Sequence, residues 1–288
     1  MITRHRSEPP SPRPRFRPAI AAFVATLWLL TGGALSASAA TPLPRSMAST
    51  GDSITRAYNT GFFPYLDNPS ASWSTGTNGS VVSHYTRLVA RQPAILGHAY
   101  NDAKSGAKMV DLAGQLATAA TQRVDYVTIL MGGNDICTSS ESSMTSVATF
   151  QSQFVSAMNT MTSSSPSTRV YVVSIPNVYN LWSVLKDSFT ARTVWSLFGV
   201  CPSMLANPLS TAQADIDRRA RVLQREIDFN AVLQSVCAQR ARCRYDGGAV
   251  FGTTFVASDI TARDYFHPST AGQAKLAAVT WAAGYWGP

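Results

Sequence analysis

The sequence predicts an α/β protein in which a mainly parallel β-sheet lies between two layers of helices. Predicted strands and helices alternate along the chain, which is typical of right-handed βαβ units. The run Tyr-Val-Thr-Ile-Leu-Met at residues 126–131 is almost wholly apolar, as expected of a strand covered on both faces. Short segments rich in Gly, Ser and Asn follow three predicted strands, where the ligand site of such a sheet forms.

Each element has its own signal in the chain. Apolar or β-type runs predict strands at residues 45–50, 94–100, 126–131, 169–175 and 243–245, with 250–251 as an alternative for the last one. Helical spacing of apolar residues predicts helices at 81–89, 109–120, 147–161, 216–231 and 270–286. Two long segments, 58–78 and 176–210, are predicted to be irregular, and loops of this length are usually functional. Arg218, Arg221 and Arg225 are interpreted as a solvated face of the fourth helix.

The first 40 residues are interpreted as a secretory signal peptide, and residues 41–288 as a single domain. An Arg- and Pro-rich start precedes an apolar stretch at residues 19–30, and Ala37-Ser38-Ala39 supplies small residues for cleavage. The apolar stretch is short for a membrane span, although a retained anchor is the alternative. We therefore expect a secreted, extracellular protein in which disulfide bonds can form.

Length and composition fit one sizeable globular domain. The 288 residues are 45% hydrophobic and 10% aromatic, which suits a packed core. The formal net charge is +8, but residues 1–40 hold five arginines against one glutamate. No basic run with interleaved aromatic residues remains beyond them, so no nucleic-acid partner is indicated.

Four cysteines follow the predicted signal peptide: Cys137, Cys201, Cys237 and Cys243. They allow three disulfide pairings. Cys237 and Cys243 are close enough for a local clasp, which would leave Cys137 to pair with Cys201. Metal binding is the competing interpretation, but no C-x-x-C pair or histidine cluster supports it. We favour two disulfide bonds and predict neither a metal nor another cofactor.

Four short blocks carry residues suited to nucleophilic catalysis. They are Gly51-Asp52-Ser53, Ser105-Gly106-Ala107, Gly132-Gly133-Asn134-Asp135 and Asp264-Tyr265-Phe266-His267. Gly51 permits a sharp turn after the first strand, so that Ser53 can be both rigid and exposed. A serine needs a base, and the Asp264 carboxylate can hold Nδ1–H of His267 while Nε2 takes the Ser53 proton.

Other acids and histidines are weaker candidates for these roles. Asp259 is a second option for the acid that orients the imidazole. His84 and His98 have no carboxylate partner nearby in the sequence.

Attack on an ester creates an oxyanion, which needs hydrogen-bond donors already aimed at it. The backbone N–H groups of Ser53 and Gly106 and the side-chain amide of Asn134 are the candidates. Glycine at position 106 lets the backbone approach closely, and Gly133 is expected to allow the turn that aims Asn134. An ordinary turn glycine and an ordinary Asn turn are the alternatives.

In this order and at these distances, the four blocks resemble the SGNH (GDSL-type) hydrolase superfamily over about residues 46–281. The resemblance implies a three-layer α/β/α sandwich with a mainly parallel, flavodoxin-like sheet. It also implies a catalytic triad of Ser53, Asp264 and His267 and an oxyanion hole of Ser53, Gly106 and Asn134. Asp52 and Asp135 match the motifs as well and are interpreted as structural residues that bond loop N–H groups.

Segments between the blocks resemble the phospholipase B-type branch of that superfamily. They are Ser72-Trp73-Ser74-x-Gly76, the cysteine directly after Gly-Gly-Asn-Asp-Ile, residues 177–181 and Cys201-Pro202. Aromatic residues of the segment 176–210, including Trp182 and Trp195, are expected either to line an acyl groove or to pack that segment onto the core.

The sequence therefore predicts a secreted serine ester hydrolase acting on lipids, with phospholipid or lysophospholipid favoured. A carbohydrate or short-chain acetyl esterase is the alternative within the same fold, and a non-catalytic binding module is the alternative outside enzymes. The expected partners are the ester substrate and, transiently, a membrane or lipid surface. We expect a monomer.

Overall fold

A five-stranded β-sheet forms the centre of the computed structural model, which describes residues 1–2, 9–11 and 41–287. Its strands are β1 (Met47–Gly51), β2 (Ala99–Asn101), β3 (Tyr126–Leu130), β4 (Arg169–Val172) and β5 (Cys243–Tyr245). They lie in the order β2-β1-β3-β4-β5, and all neighbouring pairs are parallel. In sheets of this order the ligand site lies beyond the carboxyl ends of the strands. Apart from residues 1–2 and 9–11, the predicted signal peptide falls outside the described residues.

Helices connect and flank the strands. They are α1 (His84–Arg91), α2 (Leu112–Thr121), α3 (Gly133–Ile136), α4 (Val147–Ser164), α5 (Val178–Leu185), α6 (Phe189–Phe198), α7 (Pro202–Leu205), α8 (Gln213–Ala238) and α9 (Thr270–Ala283). Ser83, Ser146 and Ser269 each cap a helix, because their side chains accept the N–H three residues further on. Within the described part of the chain, no helix is long and apolar enough to cross a membrane.

Two hydrophobic clusters, one on each face of the sheet, hold the helical layers in place. On one face α2, α4 and α8 pack against side chains such as Val127, and the rings of Phe150 and Phe229 stack with centroids 3.9 Å apart. On the other face α1 and α9 pack against the alternate set of strand side chains, such as Tyr126. The predicted three-layer α/β/α sandwich with a parallel sheet is confirmed.

The segment 176–210 is helical, so the prediction of an irregular insert was wrong. It contains α5, α6 and α7, and the first two begin at Asn177 and Ser188, whose side chains cap them. None of the three helices exceeds ten residues. Such lengths offer too few turns for the apolar spacing to stand out in the sequence. We call residues 176–210 the helical insert.

Other boundaries differ for local reasons. Strand β2 is shorter than predicted, because Pro93–Ile95 form a one-turn 3₁₀ helix and the strand begins only at Ala99. The segment 58–78 is likewise only partly open loop, since Pro69–Ala71 form a 3₁₀ turn and Trp73 is fully buried. Only residues 58–66 of this segment carry exposed aromatic side chains.

Two disulfide bonds join the same cysteine pairs that the sequence analysis favoured. Cys137 is bonded to Cys201, and Cys237 is bonded to Cys243. The first bond connects the residue after α3 with the residue before α7, so it fixes the helical insert beside the third motif block. The second closes a short loop between α8 and β5.

Of the three arginines predicted to form a solvated face of α8, only Arg221 is exposed, and all three bond other parts of the chain. The Arg218 guanidinium donates to three backbone carbonyls between residues 202 and 206 and so ties α7 to α8. Arg225 donates to the carbonyl of Thr145 at 2.6 Å, and Arg221 pairs with Glu141. Their side chains hold the helical insert and the segment before α4 against α8.

Candidate active site

Ser53 lies in a tight turn directly after β1. Gly51, the last residue of the strand, has φ +139°, a region that L-residues rarely adopt. A Cβ atom at this position would lie 2.2 Å from the carbonyl oxygen of Leu130 on the neighbouring strand. Only glycine therefore allows the chain to leave the sheet here and present Ser53 at the sheet edge.

Two buried glutamines hold this turn, and the sequence analysis did not single out either one. Gln115 of α2 accepts the N–H of Gly51 at 2.7 Å and donates to its carbonyl at 2.9 Å. Gln273 of α9 donates to the carbonyl of Ile54 at 2.7 Å and accepts the N–H of Trp73 at 3.0 Å. Each side chain accepts a buried backbone N–H and adds a second donor to a carbonyl that also accepts a backbone N–H.

Ser53, His267 and Asp264 form a continuous hydrogen-bonded chain. The Ser53 Oγ lies 2.8 Å from Nε2 of His267, and Nδ1 of the same ring lies 2.8 Å from Oδ2 of Asp264. The other carboxylate oxygen, Oδ1, accepts the backbone N–H groups of Phe266 and His267 at 2.9 Å each. The structure thus brings together all three residues predicted to form the triad, in the order that proton transfer from serine to imidazole requires.

Asn59 is a further contact of the triad carboxylate that the sequence analysis missed. Its side-chain amide donates to Oδ2 of Asp264, and its Oδ1 accepts the N–H of Tyr65 at 2.5 Å. Its φ is +65°, a left-handed conformation that asparagine tolerates better than most residues. Burial alone would raise the pKa of Asp264, but the hydrogen bonds from His267 and Asn59 and the charge on His267 lower it below its usual value.

The predicted oxyanion donors lie around the same sheet edge. The backbone N–H groups of Ser53 and Gly106 have no protein acceptor among residues 41–287. The Asn134 amide donates one hydrogen bond to the carbonyl of Ala107 at 2.9 Å, which fixes its orientation and leaves its second N–H available. Ser53 and Asn134 line the same cleft. Gly106 does not line this cleft, but the next residue, Ala107, accepts the hydrogen bond from Asn134.

The glycines of the second and third blocks act differently from the prediction. The turn before α3 is made by Gly132, with φ +125°, and not by Gly133, which lies inside the helix. At Gly106 a Cβ would meet nothing within 4 Å, so close approach is not the reason for glycine there. Its φ of +80° is the reason.

Asp52 and Asp135 bond loop N–H groups, as the sequence analysis expected. Asp52 accepts the N–H of Ile54 at 2.9 Å, and Asp135 accepts the N–H of Met109 at 2.9 Å. Burial raises the pKa of Asp52 to about 6, and burial also raises the pKa of Asp135. Asp52 thus bonds within the turn of its own block, whereas Asp135 joins the third block to the segment after the second.

The remaining candidates lie away from the triad. Asp259 pairs with Lys275 and caps a 3₁₀ turn, so it does not orient His267. His84 is a buried core residue bonded to Tyr126 and Thr280, and burial lowers its pKa to about 3. Among residues 1–2, 9–11 and 41–287, no group of three or more His, Cys, Asp or Glu side chains could hold a metal ion.

Two clefts meet at His267. The first cleft, about 650 Å³ including its open mouth, contains Ser53 and Asn134 and is otherwise mostly apolar. Its apolar lining is Ile54, Ile175, Pro176, Val178, Leu181, Phe255, Ile260, Phe266 and Pro268. The second cleft, about 600 Å³, lies between residues 58–65 and the end of α6. It is lined by Tyr58, Tyr65, Val194, Phe198, Val200, Arg263, Asp264, Phe266 and His267.

The two tryptophans of the helical insert line neither of these clefts, so for them the structure supports packing onto the core, the second of the two predicted alternatives. Trp182 donates to the carbonyl of Pro208 at 2.9 Å and packs against Arg219. Trp195 is buried and donates to the carbonyl of Tyr265 at 3.0 Å. Both pack the insert onto the rest of the protein, and other residues of the insert line the clefts instead.

The fold and this site define a hydrolase with a serine–histidine–aspartate chain at the edge of a parallel sheet. A family model described as the GDSL-like Lipase/Acylhydrolase family matches residues 50–275. The chain belongs to this family, which confirms the membership that the four blocks predicted. The protein is a carboxylic ester hydrolase.

Solved structures share the fold at low sequence identity. A GDSL-like protein from Parabacteroides merdae ATCC 43184 is 16% identical with a TM-score of 0.52, over 83% of this chain and 94% of that one. A lipase from a goat rumen metagenome is 15% identical with a TM-score of 0.52, over 83% of this chain and 97% of that one. No curated protein sequence matches the chain.

Replacing Asn59 should impair the positioning of Asp264 without removing any triad member. We expect Asn59→Gly, which keeps the left-handed backbone, to lower kcat by about tenfold or more, since hydrogen bonds to charged groups contribute about 1.5–3 kcal/mol. Loss of this donor should also raise the pKa of Asp264, which an NMR titration of the side-chain carboxyl carbons measures. The matched control is Asn207→Gly, another asparagine with positive φ, in the helical insert. An unchanged pKa of Asp264 in a folded Asn59→Gly variant would show that Asn59 does not act on Asp264.

Asp52 should make the folded state less stable once it ionises. The pKa of Asp52 is about 6 in the folded protein and 3.8 ordinarily. Above pH 6 the carboxyl group must therefore ionise in a buried place, which lowers the stability of the folded state, and below pH 3.8 this loss of stability is absent. We expect Asp52→Asn, which can still accept the Ile54 N–H, to raise the free energy of unfolding at pH 8 by up to about 3 kcal/mol. The gain should shrink as the pH falls towards 4. Denaturant unfolding of both proteins at pH 8 and pH 4 measures this gain in the free energy of unfolding. An equal gain at both pH values would show that ionisation of Asp52 does not oppose folding.

Proposed function

We propose that the protein is an exported serine hydrolase that cleaves carboxylic esters of lipids through an acyl-enzyme, with residues 41–288 as one catalytic domain. The observation that carries the proposal is the hydrogen-bonded chain from Ser53 through His267 to Asp264, opening into an apolar cleft. Two disulfide bonds and the signal-like pattern of residues 1–40 support export.

The first half of the reaction uses the 2.8 Å contact between Ser53 and His267. Nε2 of His267 takes the proton as Oγ of Ser53 attacks the ester carbonyl carbon. Asp264 accepts Nδ1–H, which holds the neutral ring in the tautomer that leaves Nε2 free and stabilises the imidazolium once it forms. The tetrahedral intermediate collapses when His267 returns the proton to the alcohol, which leaves Ser53 acylated.

The second half repeats these steps with water as the nucleophile. His267 takes a proton from water, the hydroxide attacks the acyl carbonyl carbon, and the proton passes to Oγ of Ser53 as the acid is released. In both halves the carbonyl oxygen becomes an oxyanion. The unpaired N–H groups of Ser53 and Gly106 and the second N–H of Asn134 are the donors proposed to stabilise it.

A lipid acyl chain is the substrate class that the first cleft supports best. The cleft is lined mainly by aliphatic and aromatic side chains. Its polar side chains are those of Asp52, Ser53, Asn134 and His267, together with Asn177 and Asn180 at the start of α5. An acyl chain bound there would exchange water for apolar contacts along most of its length.

Covalent labelling tests the serine mechanism. We expect an organophosphonate to modify one peptide, the one containing Ser53, and to leave folded Ser53→Ala unlabelled and inactive on soluble esters. Ser183→Ala, on an exposed position of α5, is the control and should label and turn over normally. Activity in folded Ser53→Ala, or an adduct at another residue, would refute the assignment.

An acyl-length series tests the lipid substrate. We expect kcat/KM to rise from acetyl towards longer acyl esters, by at most about fourfold per methylene, because burying one contributes about 0.8 kcal/mol. Leu181→Ala should flatten this rise while sparing acetyl esters. Leu185→Ala is matched to it, since Leu185 lies one turn further along α5, is equally buried and lines neither cleft. Fastest cleavage of acetyl esters, with no phospholipid hydrolysis, would exclude the lipid substrate and favour a carbohydrate or acetyl esterase.

A further inference from the structure

Seven large apolar side chains are exposed around the second cleft, and the hydrolysis reaction itself does not explain them. They are Phe62, Phe63, Tyr65, Leu66, Phe189, Leu197 and Phe198, which we call the apolar rim. Phe62 is 89% exposed and Leu197 is 74% exposed. Folded proteins seldom expose many large apolar side chains in one region unless that region binds something.

The rim is formed by two segments that approach each other across the cleft. The loop at residues 58–66 contributes four of its side chains, and the face and end of α6 contribute three. The rings of Tyr65 and Phe198 meet between them, with centroids 6.5 Å apart. On α6, Phe189 and Leu197 line the same shallow surface groove. The exposed apolar side chains therefore extend from one wall of the cleft to the other.

The second cleft connects the rim with His267, at which it meets the first cleft, which contains Ser53. Tyr65 and Phe198 line the mouth of the second cleft, while His267 and Asp264 lie in its lining. The loop is also bonded to the triad, because Asn59 binds both Asp264 and the N–H of Tyr65. Whatever contacts the rim is thus held at the entrance to His267.

The charges around the rim suit a zwitterionic or anionic surface. Residues 58–66 and 188–200 contain no acidic residue, and the exposed Asp187 just before α6 lies 3.8 Å from the ammonium group of Lys186. Arg263 lies under the loop and donates to the carbonyl of Phe62 at 2.9 Å, and Arg192 lies beside Leu197. The nearest acid in the loop, Asp67, is already paired with Arg56 at 2.9 Å. Apolar side chains flanked by cations are typical of segments that insert into the headgroup region of lipids.

We propose that the apolar rim docks the enzyme onto the surface of a phospholipid aggregate, with the loop at residues 58–66 and α6 inserted into it. The proposal rests on the proposed lipid esterase function and adds the surface that delivers its substrate. A protein partner that covered all seven side chains would also cover the cleft between them. A lipid surface instead supplies the ester through that opening.

Vesicle sedimentation of unreactive protein tests the docking. In a Ser53→Ala background, which prevents hydrolysis, the protein should bind vesicles of equimolar phosphatidylcholine and phosphatidylglycerol. Replacing Phe62, Phe63 and Leu197 together by serine should lower the partition coefficient about tenfold or more. The matched control replaces Leu96, Ile216 and Ile227 by serine, which are exposed apolar residues elsewhere. It should bind like the parent protein.

Activity assays of the enzyme that retains Ser53 separate docking from catalysis. The rim variant should hydrolyse soluble short-chain esters within about twofold of the parent kcat/KM, because no rim residue that it replaces touches the triad, and should lose most of its activity on vesicles. Equal vesicle binding by the rim and control variants would overturn the docking proposal. The docking proposal would also be overturned if the parent protein bound no vesicles and formed a concentration-dependent dimer that the rim substitutions abolish. Failure of the parent enzyme on soluble esters would instead overturn the proposed function.

Discussion

The active site depends on the hydrogen bonds made by the backbone of the turn that carries Ser53, where the chain leaves the sheet. A strand that ends abruptly exposes N–H and C=O groups inside the protein, and each one left without a partner would be costly. Gln115 satisfies both backbone groups of Gly51 from one helical layer, and Gln273 holds Ile54 from the other. The position of Ser53 is therefore set by both layers of the sandwich. A correct local turn would not suffice.

Reactivity and substrate contact are divided between different parts of the fold. The strand ends and the turns after them supply Ser53, Asn134 and the candidate N–H donors, which the sheet holds rigidly. The helical insert lines part of the first cleft, and together with the loop at residues 58–66 it lines most of the second. Because Arg218 and the Cys137–Cys201 bond fix the insert to this frame, its apolar surface keeps a constant relation to His267.

Much of the site could be predicted from the sequence because its signals are local. Gly51, Gly106 and Gly132 mark turns at strand ends, and parallel strands bring those ends to one edge. The spacing of Asp264 and His267 likewise fits a single turn. The alternation of strands and helices is also visible in the local sequence, and it predicted the three layers of the sandwich.

What the sequence could not predict depends on contacts between distant residues. Gln115, Gln273 and Asn59 act on groups 64 to 219 residues away, and nothing in their local sequence distinguishes them. The same holds for Arg218, which resembles a solvated residue of α8 until the position of α7 is known. For the aromatic residues of the insert the sequence left two alternatives open, because burial against the core and exposure to a cleft favour the same residue types.

The separation of Ser53 and His267 along the chain has a consequence for when activity can arise. The two residues are 214 positions apart, and the base lies just before α9, which also carries Gln273. Contacts between such distant residues are slow to form, because the entropy of closing the intervening chain must be lost first. A chain whose synthesis has stopped short of α9 has Ser53 without its partner His267. Ester hydrolysis by this pair of residues therefore has to wait until the whole sandwich has closed.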